Sequence, residues 1–192
     1  MWKNLYLKHP LRNRKAFTLI EVIISIFLIS LISLVLFSLL NHTILISNIS
    51  HKKDDILLNG RFGFEYISRE IQRADKVIDS NKFSGFSKDY PTNLGFVIYN
   101  YNDDNHPNGN HEFTSYYISK GELFRIKGRR QTDKYPSNIE KSGVNFLCGY
   151  VQKSQTFVNF ESNFIDLHLI VGNDEFSYNF RSLFNINCET DY

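Results

Sequence analysis

A chain of 192 residues, 42% hydrophobic and 15% aromatic, is long enough for one domain of ordinary size with a core of its own. The formal charge of +2 is unevenly spread, because the first 16 residues hold five of the 22 Lys and Arg and no acid. The rest carries 17 basic against 20 acidic residues, which argues against a global affinity for nucleic acid.

In chain order, the basic stretch Arg12-Asn13-Arg14-Lys15 runs into an apolar segment of 24 residues, Phe17 to Leu40. Helical, that segment would extend about 36 Å, enough to cross a bilayer core with some tilt. Its one charge is Glu21. An acidic residue at the centre of a span costs about 2.5 to 3.5 kcal/mol, less near an end, so an intramembrane carboxylate asks for a partner. A cut after Ala16 would supply one. Phe17 would then carry an ammonium four residues before Glu21, on the same helix face. A secretory signal has a shorter apolar core, with the small residue after it rather than before it. A plain signal-anchor is the other reading, and it shares the topology. Lys3, Lys8, Arg12, Arg14 and Lys15 keep the N-terminus cytoplasmic and the remainder exported.

The string Ala16-Phe17-Thr18-Leu19-Ile20-Glu21 closely resembles the class III signal of type IV pilins and pseudopilins. It departs from the usual pattern in having Ala16 where Gly stands before the scissile bond. The resemblance implies cleavage between Ala16 and Phe17 by a prepilin peptidase and N-methylation of Phe17. It makes Glu21 the assembly residue. It also implies an α+β, pilin-like fold: a long N-terminal helix, half transmembrane and half amphipathic, packed on an antiparallel sheet. The implied partners are other pilin or pseudopilin subunits, the inner-membrane assembly platform and, before assembly, the lipid bilayer. The chain would be a single-pass membrane protein that passes into an extracellular or periplasmic filament. The expected divisions are a leader over 1–16, a hydrophobic helix over 17–40, its amphipathic continuation over 41–79 and an exported β-rich head over 80–192.

Ser25, Ser30, Ser33 and Ser38 interrupt the apolar segment, and each can bond back to its own helix. Beyond Asn41 the chain turns polar without a strong breaker. Leu57, Gly60, Phe64, Ile67, Ile71, Ala74 and Ile78 then form one apolar stripe, with Arg61–Glu65 and Glu65–Arg69 pairs on the outer face. The pattern predicts a helix continuous through Gly60 and Gly63 that ends at Asp79-Ser80-Asn81. Gly60 would let a strand pack close.

After Ser80 the pattern is β. The expected strands are Leu94–Tyr101, Phe113–Ser119, Glu122–Lys127, Val144–Val151, Thr156–Phe160, Phe164–Val171 and Glu175–Phe180. Lys120-Gly121 and Gly172-Asn173-Asp174 read as hairpin turns. Asn185–Tyr192 reads as a polar tail.

Four features outside the N-terminus bear on chemistry. The loop Asn102–Glu112 is rich in oxygen ligands, but its glycine and closing acid miss the calcium-loop spacing. No metal or cofactor is expected. Arg125, Lys127, Arg129 and Arg130, with Lys134 nearby, form the best basic patch. Tyr116, Tyr117, Phe124 and Tyr135 beside it are candidate stacking surfaces for single-stranded DNA. Cys148 and Cys188 either pair in an oxidising compartment or remain core residues. No hydrolase, phosphate-loop or metalloprotease motif is present, so an enzyme is not expected. The size and the post-helix pattern point to a minor subunit, initiating or at the tip, of a pilus, a type II secretion system or a competence apparatus. The alternative is a binding subunit whose head holds DNA or a surface.

Overall fold

The computed structural model describes residues 17–104, 106–139 and 143–192. A helix, α1, spans Leu19–Gln72, and the described chain divides into two compact units between Ile49 and Ser50. In the first unit every described residue from Phe17 onward is exposed. By length and composition α1 is apolar enough to cross a membrane. Ser25, Ser30 and Ser33 each donate to a carbonyl of their own helix, at 2.7, 2.7 and 2.8 Å, so no hydroxyl proton of these three is left without an acceptor in the oily stretch.

The second unit combines the last part of α1 with two sheets, an α+β pilin-like architecture. The strands are β1 (Lys76–Asp79), β2 (Asn93–Tyr101), β3 (His111–Ser119), β4 (Glu122–Arg130), β5 (Gly143–Cys148), β6 (Val151–Ser154), β7 (Phe157–Asn159), β8 (Phe164–Gly172), β9 (Ser177–Asn185) and β10 (Glu189–Asp191). A short helix, α2 (Ser84–Asp89), follows a 3-10 turn at Ser80–Lys82. One sheet has the order β10-β1-β2-β3-β4-β5. All its pairings are antiparallel except β1 with β10, which is parallel. In the other sheet β8 pairs with β6 and β7 along one edge and with β9 along the other, all antiparallel.

The face that α1 buries is Ile56, Gly60, Gly63, Ile67 and Ile71. The stripe therefore runs through Ile56 and Gly63 rather than Leu57, which stays 37% exposed. The helix is continuous through both glycines, and each admits a strand side chain. A Cβ on Gly60 would stand 2.5 Å from the Phe180 ring on β9, and one on Gly63 would stand 2.6 Å from Cys148 Sγ on β5. The core beneath α1 draws Val77, Phe96, Ile98, Tyr116 and Leu123 from one sheet and Ile165, Leu167, Leu169 and Val171 from the other. The alternation in β8 buries the odd-numbered set, as its period-two pattern predicts. A second core lies under α2, where Ile78, Val97, Phe113 and Ile126 meet Phe83, Phe86 and Ile139.

Several boundaries differ from expectation. The helix ends at Gln72 rather than at 79, and Ile78 belongs to β1. Tertiary pairing overrides helical spacing there, because Val77 and Ile78 are fully buried between β2 and β10. The expected strand Val144–Val151 is two strands, β5 and β6. Tyr150 adopts φ 60° between them, and its carbonyl accepts from Gly172 N at 2.7 Å, which turns the chain from one sheet to the other. The C-terminal residues are not a tail: Glu189–Asp191 is β10, an edge strand beside β1. The Lys120-Gly121 turn has φ 52° and 77°, the left-handed pair that a tight two-residue hairpin requires. β9 starts at Ser177 instead of Glu175 because Asn173 Oδ1 accepts from both Glu175 N and Phe176 N, holding the turn open two residues longer.

Candidate functional site

Helix α1 starts at Leu19, which makes Thr18 the residue that caps it and Glu21 the third residue inside. Thr18 N donates to Glu21 Oε2 at 2.8 Å and Thr18 Oγ1 donates to the same oxygen at 3.0 Å. The Glu21 amide faces Thr18 Oγ1 at 3.3 Å. This reciprocal arrangement is a capping box, which satisfies otherwise orphaned amides at a helix start. The carboxylate also sits at the positive end of the helix dipole. Its signature, Thr-x-x-Glu before an apolar run, stands in the sequence at positions 18–21. Sequence reasoning missed it because it sought a partner for Glu21 farther away. In the uncut chain the Phe17 nitrogen is an amide, and its side chain is 81% exposed. Ala16 and the basic run before it lie outside the described residues.

A carboxylate at the mouth of an exposed apolar helix, behind a basic run and a small residue, is the arrangement that the prokaryotic N-terminal methylation motif describes. The family model for that motif matches residues 11–37. The chain carries the class III signal of type IV pilins. That signal supports a pilin or pseudopilin subunit, hence a structural protein with a membrane anchor, and it implies prepilin peptidase and other pilin subunits as partners in general. No curated protein and no solved structure matches the chain.

The remaining predicted residues lie in the pilin-like head. Arg125, on β4, is 7% exposed and points at α1, where its Nε and Nη2 donate to Glu70 at 3.0 and 2.6 Å. The fully buried Tyr116 donates its O–H to the same carboxylate, and the Arg125 guanidinium lies 5.7 Å from the Tyr66 ring. Burial works against the charge on Arg125, but Glu70 outweighs it and the guanidinium's pKa rises. Burial, then Glu70, pushes the Tyr116 phenol well above its ordinary value. Lys127 pairs with Glu112 at 2.5 Å, while Arg129 reaches Glu112 at 3.0 Å and Asp104 at 2.6 Å. Arg130 is half-buried at the end of β4 and Lys134 is exposed. Thus Arg125, Lys127 and Arg129 spend their charge on carboxylates of the same unit. Tyr116 presents no ring to a base, whereas Tyr117 and Phe124 stack on each other with centroids 5.4 Å apart.

Cys148 and Cys188 are free cysteines here rather than bridged. Cys148 faces Gly63, and burial lifts its thiol pKa to about 12. Cys188 borders a cleft with Ile71, Gln72 and Ala74. Gly63 and Ile71 stand about 12 Å apart along a helix. The two thiols therefore occupy different levels of α1, while a disulfide needs Cα atoms within about 7 Å. Two of the acids at this hairpin are paired with cations: Asp104 with Arg129, and Glu112, inside β3, with Arg129 and Lys127.

Proposed function

We propose that the chain is a minor subunit, initiating or at the tip, of a type IV pilus, a type II secretion pseudopilus or a competence pseudopilus. Prepilin peptidase cuts between Ala16 and Phe17, Phe17 is N-methylated, and residues 1–16 leave as the leader. The new ammonium then stands beside the Glu21 carboxylate at the helix start. Before the cut, Thr18 holds that carboxylate. Afterwards Glu21 is free to exchange the hydroxyl for a cation on its own chain or on a neighbour. Burying Glu21 without a cation is costly, so the pair is satisfied only at one axial offset between subunits. The head is exported, and the helix waits in the bilayer as a single span until assembly.

The observation that carries this reading is the placement of Glu21: the one acid between Phe17 and Leu40, at the mouth of a helix whose apolar side chains find no cover in their own unit. The size and β-rich pattern of the head favour a minor subunit over the major one. The test is the mass and N-terminal residue of the protein recovered from its native membrane. We expect N-methylated Phe17 in the wild type. The Glu21→Gln variant should be cleaved but fail to enter filaments. A mature chain that begins at Met1, or normal incorporation of Glu21→Gln, would overturn the reading.

A further inference from the structure

The β2–β3 hairpin ends in a cleft that the pilin reading leaves unused. It has a volume of about 410 Å³ and is lined by Tyr101, His106, Pro107, Asn110, His111 and Gln131. Among these six there is no Lys, Arg, Asp or Glu, although acids are plentiful nearby. The carboxylates of Asp104 and Glu112 are drawn onto Arg129. What remains facing the cleft is two imidazoles, two primary amides and one phenol ring.

The ring is available. Tyr101 is 52% exposed at the end of β2, and one edge contact fixes it, a T-shaped approach to His111 with centroids 5.4 Å apart. His111 is fixed in turn, its Nδ1 2.7 Å from the Tyr99 hydroxyl, which leaves Nε2 as its other polar atom. The floor is rigid as well. Gly109 has φ 104°, and a Cβ there would stand 1.9 Å from the Arg130 carbonyl, so only glycine lets the loop lie against the end of β4. Gly109 N donates to His106 O at 2.8 Å, and Gln131 Nε2 donates to Pro107 O at 3.0 Å. Gln131 keeps further donor and acceptor capacity, as does Asn110.

We propose that this cleft is a binding site for an uncharged saccharide. A sugar ring has an apolar C–H face and a rim of hydroxyls that both donate and accept. An exposed phenol ring suits the face, because it offers apolar area and is already ordered. Amides and imidazoles suit the rim, because each supplies donors and acceptors in one plane. An anionic ligand finds no fixed cation among the lining residues, and a nucleic acid strand would need one for its phosphates. The contacts of Gly109 and Gln131 already order the lining residues around them, so little ordering entropy is spent there on binding. The site depends on neither cleavage at Ala16 nor filament assembly.

The full chain, purified in a zwitterionic detergent that carries no sugar headgroup, is screened on an array of uncharged mono- to hexasaccharides and acidic glycans of the same sizes. Ligand-observed NMR then confirms each hit. We expect the wild type to bind a defined subset. Tyr101→Ala should weaken binding about tenfold, the loss of one stacking face. Phe146→Ala removes a ring that is 53% exposed elsewhere on the head and should leave binding unchanged. If Tyr101→Ala lowers the melting temperature, Gln131→Ala at the exposed rim takes its place and should weaken binding with the fold intact. Three results would overturn the proposal: no uncharged glycan retained by the wild type, equal losses in Tyr101→Ala and Phe146→Ala, or retention of acidic glycans only, abolished by salt.

Discussion

The unit that ends at Ile49 and the unit that begins at Ser50 are both rich in Ile, Leu and Phe, yet they treat them oppositely. In the first, Ile24, Phe27 and Leu34 are 52, 63 and 72% exposed; in the second, Ile67, Phe96 and Leu167 are at 0%. Apolar burial is worth about 25 cal/mol per Å², and the first unit leaves that gain unrealised within its own chain. An outside apolar phase has to supply it. Two of the glutamates of α1, Glu21 and Glu70, repeat the contrast. Glu21 takes its hydrogen bonds from Thr18, three residues back, whereas Glu70 takes them from Tyr116 and Arg125, 46 and 55 residues on. A carboxylate held only by its own first turn can be handed to a new partner without disturbing a fold. One held across a core cannot.

The largest effect on the head should come from breaking that long-range knot. Arg125→Ala leaves Glu70 beneath the sheet with only Tyr116 to answer it. The expected loss is about 3 kcal/mol, at the lower end for a broken buried pair because Glu70 keeps 23% of its side chain exposed. Chemical denaturation of the full chain in detergent measures it. Replacing Arg125 and Glu70 together with Leu, and Tyr116 with Phe, should recover most of the loss, since an apolar substitute strands no charge. In the same assay Thr18→Ala should leave the head's transition where it was. A shift of the head by Thr18→Ala would mean that the two carboxylates are not independent.

How much of this was legible beforehand divides along the same line. Everything local could be read: the apolar run, the signal string, the alternation in β8, the left-handed turn at Lys120-Gly121. Even the capping box was present as Thr18 and Glu21, needing only the right question. What could not be read depends on distant partners. β1 and β10 are four and three residues long; β1 is a strand because β2 and β10 pair with it on either side, and β10 because β1 does. Lys127 and Arg129 looked like a free basic patch until folding brought Glu112 and Asp104 opposite them. The second core was hidden for the same reason: six residues of α2 have no helical pattern worth trusting alone, and Phe86 becomes a core residue only when Phe113 and Phe83 meet over the sheet.

A middle-sized effect tests how closely the helix fits its strands. Gly63→Ala puts a methyl 2.6 Å from Cys148 Sγ, on a strand that cannot easily retreat because Cys148 itself pairs with Leu123. Overpacking of this kind costs about 2 kcal/mol, against which the better helix propensity of Ala returns about 1 kcal/mol. The net should be a modest fall in the denaturation midpoint. Removing the sulfur should reverse its sign: in a Cys148→Ala background, Gly63→Ala fills the space and raises the midpoint. If Gly63→Ala is neutral in both backgrounds, the helix does not approach β5 as closely as the structure shows.

The smallest effect concerns the C-terminal edge. Lys82 and the Tyr135 hydroxyl hold the Asp191 carboxyl below its usual range and tie the end of β10 to the turn after β1 and to the segment after β4. A depressed carboxyl stabilises the fold fully above its unfolded value of about 4 and loses that contribution as pH falls through the lower folded value. Lys76 adds no slope on the acid side. Burial disfavours its charge, but Glu189 prevails, and its pKa is raised, so it stays protonated throughout. Acidification should therefore loosen this edge, and the denaturation midpoint should fall between about pH 5 and pH 2. Asp104 and Asp166 are depressed by Arg129 and Arg181 and add to that fall, so the wild-type curve alone assigns nothing to Asp191. The difference curve against Asp191→Asn does. The variant should start slightly lower at neutral pH and lose less on acidification, so that the two curves converge in acid. Parallel curves would show that β10 is held by its ladder of backbone hydrogen bonds and that the carboxylate is incidental to it.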